Sequence, residues 1–292
     1  MRRFFFWTMV FLAVFTYGGH ATAEELNSSN TRIALYSYQM DFPGSSLKDH
    51  GWVTTGYLQT GDQETYTMEF ELAQTRIDYK VGEDLDQTDV AFAYTNTGHL
   101  MPNHHIRGGI HYINSDDKLT DEGFILFGKM SYLKEPEWNA GLEIDYSIYE
   151  KSSTDTHVFQ AVPSFGFYLI QDSFQETLYT ESKLYYIHKS KRLETSQHSF
   201  VSFEQSLRYE LSPFDATLAA WIGEQMFAVK DDGFTVYNRQ DKYDGGIKVD
   251  AGYTIENRVR VGLILGYDWL EHTQTNDEAT RTLVSVNIGA NF

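Results

Sequence analysis

Apolar and polar side chains alternate one by one along most of this chain. In the closing run Thr282, Val284, Val286, Ile288, Ala290 and Phe292 share one face, while Arg281, Leu283, Ser285, Asn287, Gly289 and Asn291 share the other. A period of two is the pleat of a β-strand, because successive Cβ atoms point to opposite sides of a sheet. The run before it repeats the pattern, with Val259, Val261, Leu263, Leu265, Tyr267 and Trp269 opposed by Arg258, Arg260, Gly262, Gly266 and Asp268. Tyr243, Ile247, Val249, Ala251 and Tyr253 oppose Asp244, Lys248, Asp250 and Gly252, and the stretches Phe214 to Ile222 and Val201 to Leu211 alternate likewise. Further runs cover Leu178 to Tyr186, Phe159 to Leu169, Trp138 to Ile148, Phe124 to Tyr132, Ile106 to Tyr112 and Val90 to Tyr94. The runs have about the length of a tilted strand that crosses a bilayer, roughly 9–11 residues.

The polar breaks between runs alternate in length. Short ones fall near residues 61–64, 98–102, 134–137, 171–175, 211–213 and 255–257, and longer ones near 42–50, 80–88, 114–121, 150–156, 190–197, 228–242 and 271–279. Short turns at one end and longer loops at the other are the organisation of transmembrane β-barrels. Six short and seven long connections predict fourteen strands with both termini on the short-turn side; twelve strands with an ordered N-terminal segment is the alternative count. The first two strands are placed at about 31–41 and 50–60, and the change of phase near Leu72 and Ala73 reads as a bulge.

The N-terminus supplies the compartment. Arg2 and Arg3 precede an apolar run from Phe4 to Phe15, and Ala21, Thr22 and Ala23 precede Glu24, which is the plan of a secretory signal peptide over residues 1–23. The mature chain, residues 24–292, holds 21 of the 23 Lys and Arg and all 41 Asp and Glu, a formal charge of −20. That acidity speaks against nucleic acid as a partner. With no cysteine there is neither a disulfide framework nor a thiolate metal site, and no lipid anchor is expected at the cleavage point. Aromatic residues make up 15% of the chain, as expected where two girdles mark membrane interfaces. A lipocalin-like barrel or β-sandwich would also alternate, but there the apolar face is a core. The signal peptide and the aromatics near strand ends (Trp138, Phe214, Tyr253 and Phe292 at one rim, Tyr186, Tyr243, Tyr267 and Trp269 at the other) favour the membrane. The expected fold is therefore all-β, a closed antiparallel transmembrane barrel, since lipid tolerates no open sheet edge.

An alternating last strand that ends on an aromatic residue, Val286-Asn287-Ile288-Gly289-Ala290-Asn291-Phe292, resembles the closing strand of Gram-negative outer-membrane β-barrels. In length and strand number the mature chain resembles the fourteen-stranded monomeric porins of the outer-membrane porin G type. That resemblance implies an outer-membrane location, Phe292 as insertion signal, contact with the barrel-assembly machinery and lipopolysaccharide, and passive diffusion of small hydrophilic solutes through a monomer. It implies no cofactor.

The strand phases give a lumen that is polar and hydrated. The residues singled out as lumen-lining are Glu143, Asp145, Lys183, Glu204, Arg208, Asp250, Arg258, Arg260, Asp268 and Arg281. Glu69, Glu71, Glu181, Glu210, Asp215, Arg107, Lys129 and Lys248 fall on the same face, so acids and bases are mixed. They either set up a transverse field or satisfy one another across adjacent strands. Porins selective for acidic sugars would be expected to carry a strongly basic lumen, which this chain lacks.

Other chemistries find less support. A serine hydrolase needs a nucleophile, a base in reach and a group that orients the base. Ser182 and His188 lie six residues apart on one strand face, roughly 20 Å in an extended chain, and His198 and Ser199 point to opposite faces. No catalytic residue is assigned, although a lipid-modifying barrel is a distant alternative. His104, His105 and His111, and the acids Asp116, Asp117, Asp121 and Glu122, lack metal-ligand spacing, and no metal site is assigned. A surface receptor, adhesin or secretion-associated barrel is the main rival to a channel. The long loop from Val229 to Lys242 mixes aromatics with charge, and suits either a gate folded into the lumen or an outward epitope.

Overall fold

The computed structural model describes residues 31–62, 64–134, 137–150, 155–171, 176–191, 197–237 and 241–292; the signal peptide reading for residues 1–23 falls outside them. Fourteen long strands form a closed antiparallel barrel. They are β1 (Arg32–Asp41), β2 (Lys48–Gly61), β3 (Tyr66–Tyr79), β4 (Leu85–Thr97), β5 (His104–Ser115), β6 (Phe124–Lys134), β7 (Trp138–Tyr149), β8 (Thr156–Gln171), β9 (Glu176–Lys189), β10 (Ser199–Leu211), β11 (Phe214–Gln225), β14 (Asp241–Ile255), β15 (Val259–His272) and β16 (Asp277–Asn291). Two short strands, β12 (Val229–Lys230) and β13 (Thr235–Val236), pair with each other inside the loop between β11 and β14. Each long strand pairs with its sequence neighbour. The sheet closes where β1 meets β16, from Arg32 opposite Asn291 to Asp41 opposite Thr282.

Alternation sorts the side chains between lipid and lumen. On β15 the exposed residues are Val261, Leu263, Leu265, Tyr267 and Trp269, while Ile264, Asp268, Leu270 and His272 between them are buried. An apolar face turned outward from a closed sheet is stable only against lipid. Aromatic pairs gather at both rims: Phe214 with Tyr253 (5.0 Å between ring centres) and Tyr132 with Trp138 (5.5 Å) near the short turns, Tyr267 with Trp269 (5.5 Å) near the long loops. The turn from β14 to β15 takes its shape from Glu256 and Asn257, both at positive φ (49° and 57°), as a tight hairpin matched to strand twist requires.

Three expectations need correction. The change of phase at Leu72 and Ala73 is no bulge, because β3 keeps an unbroken register with both β2 and β4 there. The pleat continues while its surroundings change: Met68 and Phe70 face outward, whereas Ala73 and Ile77 turn inward and are buried. Tyr243 belongs to the inside rather than to the outer girdle. A register shift between Tyr243 and Gly245 inserts a residue into β14 and moves everything before it to the opposite face. Finally, the lumen is not polar throughout. Near the long loops two apolar clusters line it, with Ile113, Ile125, Tyr149, Val158, Ile187 and Phe200 packed on one side and Met40, Phe42, Ile77, Leu85, Tyr243 and Leu270 on the other, interleaved with buried polar groups such as Lys48, Asp241 and His272. The half nearer the short turns carries charged pairs such as Arg107 with Glu69 and Arg260 with Asp215.

Candidate functional site

What joins the two apolar clusters is the loop between β11 and β14. Met226, Phe227, Ala228 and Val229 are almost wholly buried and complete the first cluster, while Tyr237 packs against both clusters and lies 4.6 Å from Tyr243. The loop therefore runs into the barrel as a strap. Its innermost turn is Asp231, Asp232 and Gly233, three successive residues at positive φ. Gly233 is required there twice over, since φ is +99° and a Cβ would strike the Phe127 ring.

The strap reaches the far wall. Around the barrel β5 and β6 stand five to seven places from β11 and β14, the strands from which it springs. On that wall Arg107 Nε donates to the Asp232 carbonyl (3.2 Å), Lys129 Nζ to Asp232 Oδ1 (2.8 Å), and His111 lies 3.1 Å from the Gly233 carbonyl. Phe234 is held between Tyr57 (6.0 Å) and Phe127 (6.2 Å), with the Arg107 guanidinium 5.1 Å from its ring centre. Along the sides Gln160 brackets Val229 through both its backbone groups (2.6 and 3.0 Å), and Lys230 pairs with Glu204 (2.7 Å) beneath Trp221 and Tyr185. Arg281 donates to Tyr237 (3.3 Å) and Tyr243 (3.2 Å). The Lys248 ammonium holds the Asp231 carboxyl below the usual carboxylate range. Burial pushes the Asp232 carboxyl up, but Lys129 and Lys183 together outweigh it and leave that group low as well.

The candidate residues divide by this geometry. Glu143 and Asp145 lie buried on β7, facing inward beside the strap. Lys183 is near Glu181 (3.5 Å), and Glu204 holds the strap through Lys230. Asp250 shares Arg260 with Asp215, at 2.9 and 2.5 Å, and Arg260 also donates to Asn287 (2.9 Å). The Arg260 guanidinium lies where a Cβ on Gly252 would be, so that glycine makes its room. Asp268 binds Arg281 (2.7 Å). Arg208 stands inward on β10 and exposed. Arg258 is not on the wall: it sits exposed in the turn after β14, where its amide closes the turn onto Ile255. Phe292 stands 61% exposed past the end of β16, its backbone bonded to Thr31 on β1's side. Most of these charges are thus paired, but only Arg260 with Asp250 and Arg281 with Asp268 join adjacent strands, while Glu204 is satisfied through the strap.

Sequence reasoning missed the strap's partners. Tyr57, His111, Gln160 and Trp221 gain their meaning only from a loop that crosses to strands far away in sequence. It also could not see two hydrogen-bonded groupings. Ser199 Oγ lies 2.9 Å from His188 Nδ1 across β9 and β10, outside the lumen. At the long-loop end Ser45, His272 and Asp241 form a buried relay (2.8 and 2.7 Å), with Lys48 bonded to Asp241. The Ser45 oxygen also accepts the amides of Leu47 and Lys48, so this relay clasps the β1–β2 loop to β14 and β15 and turns no hydroxyl toward solvent.

Compared with known proteins, the chain matches no family model and no curated protein by sequence. Solved structures share its fold. A bacterial polysaccharide outer membrane secretin aligns over 92% of this chain and 100% of its own, with a TM-score of 0.57 and 10% identity. A Pseudomonas aeruginosa FadL homologue aligns over 91% and 90% (TM-score 0.53, 7% identity), and the Acinetobacter baumannii outer membrane protein Omp33 over 90% and 99% (0.51, 9%). At such identities the likeness is one of fold: the chain is a closed fourteen-stranded barrel of the outer-membrane kind.

Proposed function

We propose that this protein is an outer-membrane channel for passive diffusion of small hydrophilic solutes or ions, working as a monomer, with the strap as its gate. The observation that carries this reading is the strap itself. It spans the barrel, rests on the far wall through Asp232 and Phe234, and leaves an inner face of mixed charge toward the short turns. Fourteen strands enclose more width than the eight that side chains alone fill. Phe292 is proposed as the insertion signal read by the assembly machinery, and lipopolysaccharide as the surrounding lipid on the loop side. The test is single-channel recording in planar bilayers, comparing the native chain with a variant whose residues 229–236 are replaced by a glycine-serine linker. The native chain should conduct in brief openings, and the variant steadily. A barrel that folds yet passes no current in either form, at any voltage, would replace this reading with a receptor, adhesin or secretion component.

A further inference from the structure

Lys230 of the strap ends in a box whose walls belong to the barrel. Its ammonium meets the Glu204 carboxylate on β10 at 2.7 Å, and lies 5.0 Å from the ring centre of Trp221 on β11 and 5.4 Å from that of Tyr185 on β9. The strap itself adds one ring, Tyr237, at 5.7 Å. Glu204 and Trp221 stand directly opposite each other in the register of β10 and β11, so carboxylate and indole converge on one point of the inner face. Trp221 and Tyr185 are buried, and the indole is seated against Gly246 on β14, where a Cβ would come within 2.6 Å of its nitrogen. A carboxylate set among aromatic faces and shielded from water is the arrangement that recognises alkylammonium groups, by ion pairing and by the negative faces of the rings. It also needs a cation, because a buried carboxylate without a counter-charge is strongly disfavoured. Two wall ammonium groups stand nearby, but Lys183, opposite Glu204 on β9, lies beside Glu181 (3.5 Å) and Lys248 lies toward Asp231 (3.9 Å).

We propose that Glu204, Trp221 and Tyr185 form a binding site for the ammonium group of organic cations, and that Lys230 occupies it as a tethered stand-in for the solute. This names a substrate class for the channel proposed above, and the link from binding to opening rests on that reading. A free alkylammonium ion carries the head group of lysine on a similar apolar stem, so it competes with Lys230 for the same box. With Lys230 displaced, the strap loses an anchor on β10 and β11. A solute that binds only the displaced state shifts the strap toward that state. The chain's formal charge of −18 favours the approach of cations over anions.

The test is isothermal titration of n-butylammonium chloride into the detergent-folded protein, with 1-butanol as the uncharged control. Lys230→Ala empties the box, and because Lys230 lies outside the fourteen barrel strands the variant should keep heat-modifiable migration. Lys230→Gln, which keeps much of the stem and removes the charge, gives the same readout should the alanine variant yield too little barrel. The emptied box should bind n-butylammonium saturably and 1-butanol not at all, and the native chain should bind the cation about tenfold more weakly or less, since Lys230 competes. Adding Trp221→Leu or Glu204→Gln to Lys230→Ala should weaken binding by about tenfold, the share of a desolvated cation–π contact or a charged partner. No saturable binding in either Lys230 variant, or binding that neither added substitution weakens, would overturn the site. In planar bilayers at constant ionic strength, replacing sodium by n-butylammonium should lengthen the openings of the native chain. Saturable binding with unchanged openings would uphold the site and refute the strap as gate.

Discussion

Phe234→Ala isolates the docking of the strap from the integrity of the barrel. The ring is 8% exposed, and its contacts with Tyr57 on β2, Phe127 on β6 and Arg107 on β5 all lie on strands other than those from which the strap springs. Truncating a fully buried phenylalanine costs about 3–5 kcal/mol. Phe234 is not wholly enclosed, and the strap can settle into part of the space, so the lower figure, about 3 kcal/mol, applies. Because no inter-strand hydrogen bond of the barrel involves this residue, the loss falls on the docked state of the strap and leaves closure of the sheet untouched. At about 1.4 kcal/mol per tenfold, the docked-to-undocked ratio should fall by on the order of 100-fold. In planar bilayers the time spent in the high-conductance level should rise accordingly, and Phe234→Leu, which keeps most of the apolar contact, should lie between. If Phe234→Ala migrates as an intact barrel and its openings match those of the native protein, the strap is not the gate.

Three further outcomes follow from the wall. Leu263 is 44% exposed midway along β15, so Leu263→Arg should cost roughly 2–4 kcal/mol and depress the yield of folded barrel, measured by heat-modifiable migration after refolding into lipid vesicles. Arg260→Glu should act on stability rather than selectivity: it would set a third carboxylate against Asp215 and Asp250, and, in a partly hydrated site, a loss of about 1–3 kcal/mol in denaturant titration is expected. A stable variant with only a shifted reversal potential would show that Arg260 acts as a free pore charge. Deleting Phe292 should reduce the amount of protein in the outer membrane while export to the periplasm continues, as fractionation and immunoblotting would report; unchanged outer-membrane levels would remove its role as a signal.

The strand number and the lipid-facing residues were legible because both are local. Alternation at a period of two marks Val261, Leu263 and Leu265 as one face wherever the strand ends up, and turn chemistry such as Glu256-Asn257 marks where the chain reverses. Phase failed where it depended on a neighbour. The extra residue after Tyr243 is a matter of pairing with β15, whereas Ala73 and Ile77 simply continue the inward face of Glu69 and Glu71, and only the cluster that Ile77 joins across the lumen explains why that face turns apolar. Charges could be assigned to the inner face but not to partners, because Arg260 meets Asp215 and Asp250 only once β11, β14 and β15 are side by side. The loop from Val229 to Lys242 was the least decided of all, its mixture of aromatics and charge fitting either a gate or an epitope. Its course was fixed by tertiary structure, because Phe234, Asp232 and Val229 find apolar contact, counter-charge and hydrogen bonds on walls that only barrel closure brings within reach.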